Sequence, residues 1–253
     1  RRQQTGSASP EVGEVKRFID DGGKMGLQPE AMDLVTRCFA RWSARTFVAG
    51  GLPYEPKAGK TIPDHVVLEK PDLPTHDVWR KALATAGGAL GVTLAGQALH
   101  ADNLKKLEAE VVRRVKEQAS DSTKLATRLR QRLTDLGLPL EADRLTTATS
   151  ADTLLKDLHG RTGKNLVEAL AAFEAKTSLR ALGQSVGSAG KVSAVLAYNL
   201  VFGTFGQLQS RQATIEGAAE LLERLARCLR QDELNEPAAD KLKALAEEAQ
   251  GLL

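Results

Sequence analysis

Beyond Pro74, aliphatic side chains recur every three or four positions almost to the end of the chain. Side chains with this spacing fall on one side of an α-helix, because the helix has 3.6 residues per turn. Alanine and leucine dominate these stripes and favour helices strongly, whereas aromatic residues make up only 4% of the chain. We therefore predict a mainly α fold in which residues 73–253 form an α-helical bundle that buries these stripes.

Capping signals divide this bundle into separate helices. We expect one helix over Asp77–Leu90, a long helix that begins at Asp102, and a separate helix that ends at Gly137 and Pro139. The glycines of residues 183–206 either break the helix there or let another backbone approach closely. We expect two helices in this segment, with a kink near Gly187–Gly190. Further helices are expected over about 141–147, 152–159, 164–176, 215–230 and 237–253.

The residues before the bundle follow a different order. Residues 1–8 are expected to be disordered or a cloning remnant, and residues 9–72 to form two helices followed by two strands. The strands are expected over Arg45–Ala49 and His65–Glu69, and Lys70–Pro74 is expected to be a linker because its prolines disfavour helix and sheet. This order predicts a partial winged-helix-like segment with a short two-stranded hairpin. In a winged helix the second helix contacts DNA and the loop between the strands is the wing.

Arginines follow one side of the second predicted helix at intervals of four residues, and lysines lie in the loop after it. Guanidinium groups suit phosphate oxygens, so this group is a candidate DNA contact; a solvated outer face and contact with a partner protein are the alternatives. The net charge is only +3, so any DNA binding would depend on this local group. The candidate nucleic-acid-binding residues are Arg37, Arg41, Arg45, Lys57 and Lys60.

The opposite side of the second predicted helix is apolar, and we expect it to face a core. Both cysteines, Cys38 and Cys228, are expected to be buried, reduced thiols, although a disulfide between them stays open. The apolar side carries Ala31, Val35, Cys38, Phe39 and Trp42.

Three partial motifs lack the residues that would complete a catalytic or metal site. Gly59–Lys60–Thr61 resembles the end of a phosphate-binding loop, but Tyr54 stands where that motif needs its first glycine. Ser188 and Lys191 have the spacing of a nucleophile and base without further motif partners. The four histidines are scattered, without the clustering that metal ligands need. We therefore predict no catalytic, cofactor-binding or metal-binding residue in this chain.

Residues 24–112 carry an ordered series of segments that resembles one known family. The series runs from LQPEAMDLVTRCFARWSARTFV through GGLP and PDHVVLEKPDLPTHDVWRKAL to ALGV and LHADNLKKLEAEV. It resembles the large P-loop ATPases of phage growth limitation and BREX phage-defence systems, the PglY/BrxC type. The resemblance implies an internal fragment of a multidomain ATPase whose nucleotide-binding motifs lie elsewhere. We therefore expect this chain alone to bind no ATP.

The resemblance implies a non-catalytic module of a phage-resistance ATPase that mediates docking to protein or to DNA. Its expected partners are DNA and other phage-defence subunits, and its expected location is the cytoplasm. The alternatives are a helical scaffold for protein–protein interaction without nucleic-acid contact, and a helical enzyme without a visible site. No membrane contact is expected, because the longest apolar run, Val192–Phe205, is shorter than the ~20 residues that span a bilayer.

Overall fold

The computed structural model describes residues 9–43 and 45–253, so the expectation for residues 1–8 lies outside the described residues. The described part contains ten helices and one three-stranded antiparallel sheet, which confirms a mainly α fold with a helical bundle. The chain divides into two compact units. The first contains the described residues up to Leu73 together with Ala98–Leu104, and the second contains Pro74–Gln97 and Lys105–Leu253.

The elements follow one another in a simple order along the chain. They are α1 (Val12–Ile19), α2 (Pro29–Trp42), β1 (Thr46–Ala49), β2 (Leu52–Pro53), β3 (Val67–Glu69), α3 (His76–Leu90), α4 (Ala101–Asp135), α5 (Asp143–Leu158), α6 (Gly163–Ala172), α7 (Leu179–Leu196), α8 (Asn199–Ser210), α9 (Ala218–Arg230) and α10 (Ala238–Leu252).

The first unit has a small core between its helices and its sheet. Strand β1 lies in the centre and pairs antiparallel with β2 and β3. The segment before α1 adds to the edge at β3, because Leu68 N donates to Pro10 O at 2.8 Å and Val12 N to Val66 O at 2.7 Å. The buried apolar residues that form this core are Val12, Ala40, Ile62, Val66 and Leu68.

The sheet differs from the predicted two-stranded hairpin by one strand. The predicted strands pair as expected, with Thr46 opposite Glu69. Leu52–Pro53, which the sequence placed in the loop, forms the extra strand. Gly50 and Gly51 connect it to β1 with φ values of 57° and 79°. A two-residue hairpin turn of type I′ needs positive φ at both positions, which glycine adopts without strain.

The second unit is a helical bundle with a continuous apolar core. That core joins the C-terminal half of α4 to α5 and to α7–α10. Two of the predicted breaks between helices are absent. A single 35-residue helix, α4, replaces the two helices expected before Gly137, and α5 replaces the two short helices expected over 141–159. The polar stretches that were expected to separate these helices are themselves helical, because packing against the bundle stabilises them.

The glycine-rich segment brings two backbones close together. Helix α7 runs without interruption through Gly183, Gly187 and Gly190, so the break lies at Ala197–Tyr198 and not at the predicted position. A Cβ atom on Gly183 would lie 2.3 Å from the backbone oxygen of Gly88 in α3. Of the two expected roles of these glycines, close approach of another backbone thus applies at Gly183.

Candidate docking surface

The buried side of α2 is polar. Asp33 and Thr36 are 6% and 0% exposed, and Ala40 is the apolar residue buried beside them. Asp33 Oδ2 accepts a hydrogen bond from Ile62 N at 2.9 Å, and Thr36 Oγ1 donates to Met32 O at 2.8 Å. Buried polar groups are stable when they find such partners. This side of the helix therefore fixes the loop before β3 and leaves little apolar surface in contact with the core.

A buried lysine completes this polar contact. Lys16 of α1 is 8% exposed, and its Nζ lies 2.9 Å from Asp33 Oδ1 and 3.3 Å from Asp64 Oδ1. The same Nζ donates to Ile62 O at 2.6 Å. A buried charge is tolerated when opposite charges and hydrogen bonds surround it. The loop that was predicted to be a wing is thus attached to both helices at Ile62 and Asp64.

Two of the five candidate DNA-binding residues use their guanidinium groups to donate hydrogen bonds to backbone carbonyls. Arg37 donates to Pro56 O and Lys57 O, both at 2.9 Å, and Arg45 donates to Leu68 O at 2.8 Å. The side chains of Arg41, Lys57 and Lys60 are exposed. Within the described ranges these three make no ion pair, so they are the candidate residues whose charge faces solvent.

The solvent-facing side of α2 is apolar, which reverses the predicted orientation of this helix. Leu34, Val35 and Trp42 are 63%, 43% and 86% exposed, and Cys38 is exposed as well. The prediction that this side faces a core was therefore wrong for four of its five residues, namely Ala31, Val35, Cys38 and Trp42. The polar residues at 33, 36 and 37 supply specific partners for the loop, so they occupy the inner side instead.

This apolar side continues into a groove between α1 and α2. Phe18 of α1 is 77% exposed beside it, and Arg45 and Glu14 supply charge at its rim. The apolar lining residues are Pro10, Val15, Phe18, Ile19, Val35 and Phe39. Large apolar surfaces with a charged rim are typical of protein-interaction sites. We refer to the exposed side of α2 with this groove as the α2 surface.

The two cysteines differ in their surroundings. Both are free thiols; Cys38 is exposed on the α2 surface, which corrects the expectation that both are buried, and Cys228 is buried. Burial raises the pKa of the Cys228 thiol to about 11. The thiolate is the reactive form, so Cys228 is almost fully protonated and shielded near neutral pH.

This difference predicts how the thiols react with Ellman's reagent. In the folded chain at pH 8 we expect one thiol, Cys38, to react rapidly, and a Cys38→Ser variant to lose that rapid phase. Both thiols should react after denaturation in guanidinium. Rapid reaction of two thiols in the folded protein would contradict the buried position of Cys228.

Residues 83–253 match a family model described as the sixth domain of the BREX system ATPase PglY. The chain belongs to this family. The predicted resemblance to PglY-type ATPases is thus confirmed, although the match and the residues that suggested the resemblance overlap only at 83–112. Searches of curated proteins and of solved structures each found no match.

A buried arginine of the matched PglY region, Arg144, joins three helices. Arg144 of α5 is 3% exposed; its Nε donates to Cys228 O in α9 at 3.0 Å, and its guanidinium also contacts Glu233 and Glu236 O. Glu233 in turn accepts from Ala238 N at the start of α10. The burial of Arg144 was not predicted, because an isolated arginine near threonines gives no signal of burial in the sequence.

The partial motifs do not come together as sites within the described residues. Ser188 Oγ donates to Ser185 O, and Lys191 is exposed on the same helix. No group of three histidine, cysteine or acidic side chains is placed to hold a metal ion in residues 9–43 and 45–253. In that same part of the chain, no helix combines the length and the apolar character needed to cross a bilayer.

Proposed function

We propose that this PglY-family chain is a non-catalytic docking module of a BREX phage-resistance ATPase, and that it binds protein through the α2 surface. Family membership supports the place of the module in a phage-defence ATPase. The orientation of α2 carries the docking proposal, because its apolar side lies in solvent while its polar side is buried. Exposing these side chains is costly in water, and a partner that covers them recovers that free energy.

Protein fits this surface better than nucleic acid does. Interface cores are enriched in aromatic side chains and arginine and depleted in lysine and acids. The α2 surface has this composition, with Trp42, Leu34 and Val35 around Arg41. Trp42 is the leading candidate for the residue that contributes most to binding, since exposed tryptophans bury a large area at low entropic cost.

The docking proposal is tested with purified BREX proteins in pairwise titrations against this chain. We expect a saturable interaction that a Trp42→Ser variant weakens at least about tenfold, in keeping with an energetically dominant interface residue. Tyr198→Ser in the bundle is the matched control, because Tyr198 is also an exposed aromatic residue, at 62% exposure. Equal binding by wild type and Trp42→Ser to every partner, this chain itself included, would refute docking through the α2 surface.

DNA contact is the second candidate function, because Arg41, Lys57 and Lys60 are exposed without ion pairs in the part of the chain that the structure describes. Each phosphate contact contributes about −0.9 to the slope of log affinity against log salt. Three contacts therefore give a slope of about −2.7, or a loss of about 40-fold between about 50 and 200 mM salt.

Fluorescence anisotropy with a labelled duplex measures this slope. A Lys57→Ala/Lys60→Ala variant should reduce it to about −0.9, the value for one remaining contact. Lys116→Ala/Lys243→Ala removes two exposed cations of the bundle as the control for net charge. If both double variants bind duplex equally well, or if wild type binds none, DNA contact through these residues is rejected.

A further inference from the structure

The exposed side of α2 has opposite charges at its two ends. Glu30 lies in the first turn and Arg41 in the last turn, and both are exposed. Neither makes an ion pair with any residue in the described ranges. The same side carries exposed apolar side chains at the helical spacing of a packing seam. Ala31, Leu34, Val35 and Cys38 lie between the two charges, and Trp42 follows Arg41 directly.

The side chains of this seam are complementary in size to those of a second copy of α2 that runs in the opposite direction. If two copies of α2 pack antiparallel about a two-fold axis near the middle of the helix, Trp42 lies opposite Ala31 of the other copy, and Val35 lies opposite Cys38. The largest side chain of the seam thus meets the smallest. In a two-fold interface each such contact occurs twice, because the same patch is used by both subunits.

The charges favour the same arrangement. In the antiparallel pair, Glu30 of one copy is level with position 43 of the other copy, two residues beyond Arg41. The offset between Glu30 and Arg41 along the axis is therefore about 3 Å, which both side chains can span. In a parallel pair, Glu30 of one copy would lie about 16 Å along the axis from Arg41 of the other, too far for an ion pair. Charge complementarity therefore selects the antiparallel orientation.

We infer that the occupant of the α2 surface is a second copy of this chain, held by antiparallel α2 helices with two Glu30–Arg41 pairs between subunits. The inference rests on the proposed docking function and names its partner. A 14-residue helix is about 21 Å long, so the interface falls at the low end of the size range of specific complexes. We therefore expect a reversible dimer with a dissociation constant in roughly the micromolar range.

Sedimentation velocity of the full chain with two charge-reversal variants tests the inference. Glu30→Arg places two arginines opposite each other at both contacts, and Arg41→Glu places two glutamates there. Each variant alone should dimerise at least about tenfold more weakly than wild type. In an equimolar mixture of the two variants, each arginine again meets a glutamate, so a mixed dimer of near wild-type affinity should form.

The mixing step separates a lost contact from a folding defect, because a variant that fails to fold is not rescued by another damaged variant. A wild-type chain that stays monomeric up to millimolar concentration overturns the second-copy inference. A dimer that Arg41→Glu and Trp42→Ser leave unchanged also overturns it, because another surface must then associate. If the chain is monomeric but Trp42→Ser still loses binding to a BREX protein, docking stands and only its proposed partner is wrong.

Discussion

A Gly183→Ala substitution should destabilise the bundle by about 2–3 kcal/mol, although alanine is the better helix former. The added Cβ would lie 2.3 Å from Gly88 O and 3.6 Å from Ala89 O. Both are backbone atoms of α3, so no side-chain rotation can relieve the contact. Helices α3 and α7 must move apart, and the apolar contacts along their crossing loosen with them.

Gly187→Ala is the matched control, with an expected effect of opposite sign. Gly187 lies one turn further along the same helix, and a Cβ added there meets nothing within 4 Å. Alanine at such a position stabilises a helix by roughly 0.5–1 kcal/mol, because it restricts the unfolded chain more than glycine does.

Urea unfolding followed by tryptophan fluorescence measures both effects. In a Trp42→Phe background the single remaining tryptophan is Trp79, which is 3% exposed and lies in α3 itself. Its emission reports both the opening of the crossing and the loss of the bundle. Similar stabilities for the two alanine variants would show that the α3–α7 crossing tolerates a Cβ, contrary to the geometry.

The fold class followed from the sequence because it depends on side-chain periodicity, which is local. Leucine stripes predicted the bundle, and Gln28–Pro29–Glu30 predicted the start of α2, where Pro29 is the first helical residue. Strand β2 was missed because it has two residues and no pattern of its own. Gly50–Gly51 was the available signal, since adjacent glycines between extended residues favour a hairpin turn.

The α2 surface was predicted in the wrong orientation for a physical reason. Periodicity identifies the two sides of a helix but not which of them is buried. Here Asp33 and Arg37 bond to the backbone of one loop, and Lys16 joins that contact from another helix. Each of these contacts joins residues at least 17 positions apart in the chain, so a sequence pattern cannot reveal them. The arginines that suggested DNA binding are divided in the same way, since Arg37 bonds to backbone while Arg41 is exposed.

Removal of Arg144 should strongly destabilise the bundle. An Arg144→Met variant should lose about 3–5 kcal/mol of stability, because it leaves the buried carboxylate of Glu233 without its counter-charge. It also removes the donors to Cys228 O and Glu236 O, which lie at the end of α9 and before α10. Backbone acceptors left buried without donors add to the cost.

Arg161→Ala is the control for loss of an arginine ion pair. Arg161 lies 2.5 Å from Asp157 Oδ1 on the exposed side of α5 and the turn after it. Exposed pairs between neighbouring turns contribute only about 0.3–0.5 kcal/mol, so this variant should unfold close to wild type. The contrast between the two variants isolates the effect of burial from that of removing a positive charge.

A second substitution distinguishes an unpaired buried charge from lost packing. Glu233→Gln removes the charge that Arg144→Met leaves behind, while its amide oxygen can still accept from Ala238 N. The double variant should therefore be more stable than Arg144→Met alone by about 1–3 kcal/mol. Urea unfolding in the Trp42→Phe background, followed by the fluorescence of Trp79, measures this difference. The opposite result is that Glu233→Gln lowers the free energy of unfolding of Arg144→Met further. That result would show that Arg144 stabilises the bundle mainly through the carbonyls of α9 and of the turn before α10, and that the Glu233 carboxylate is not its essential partner.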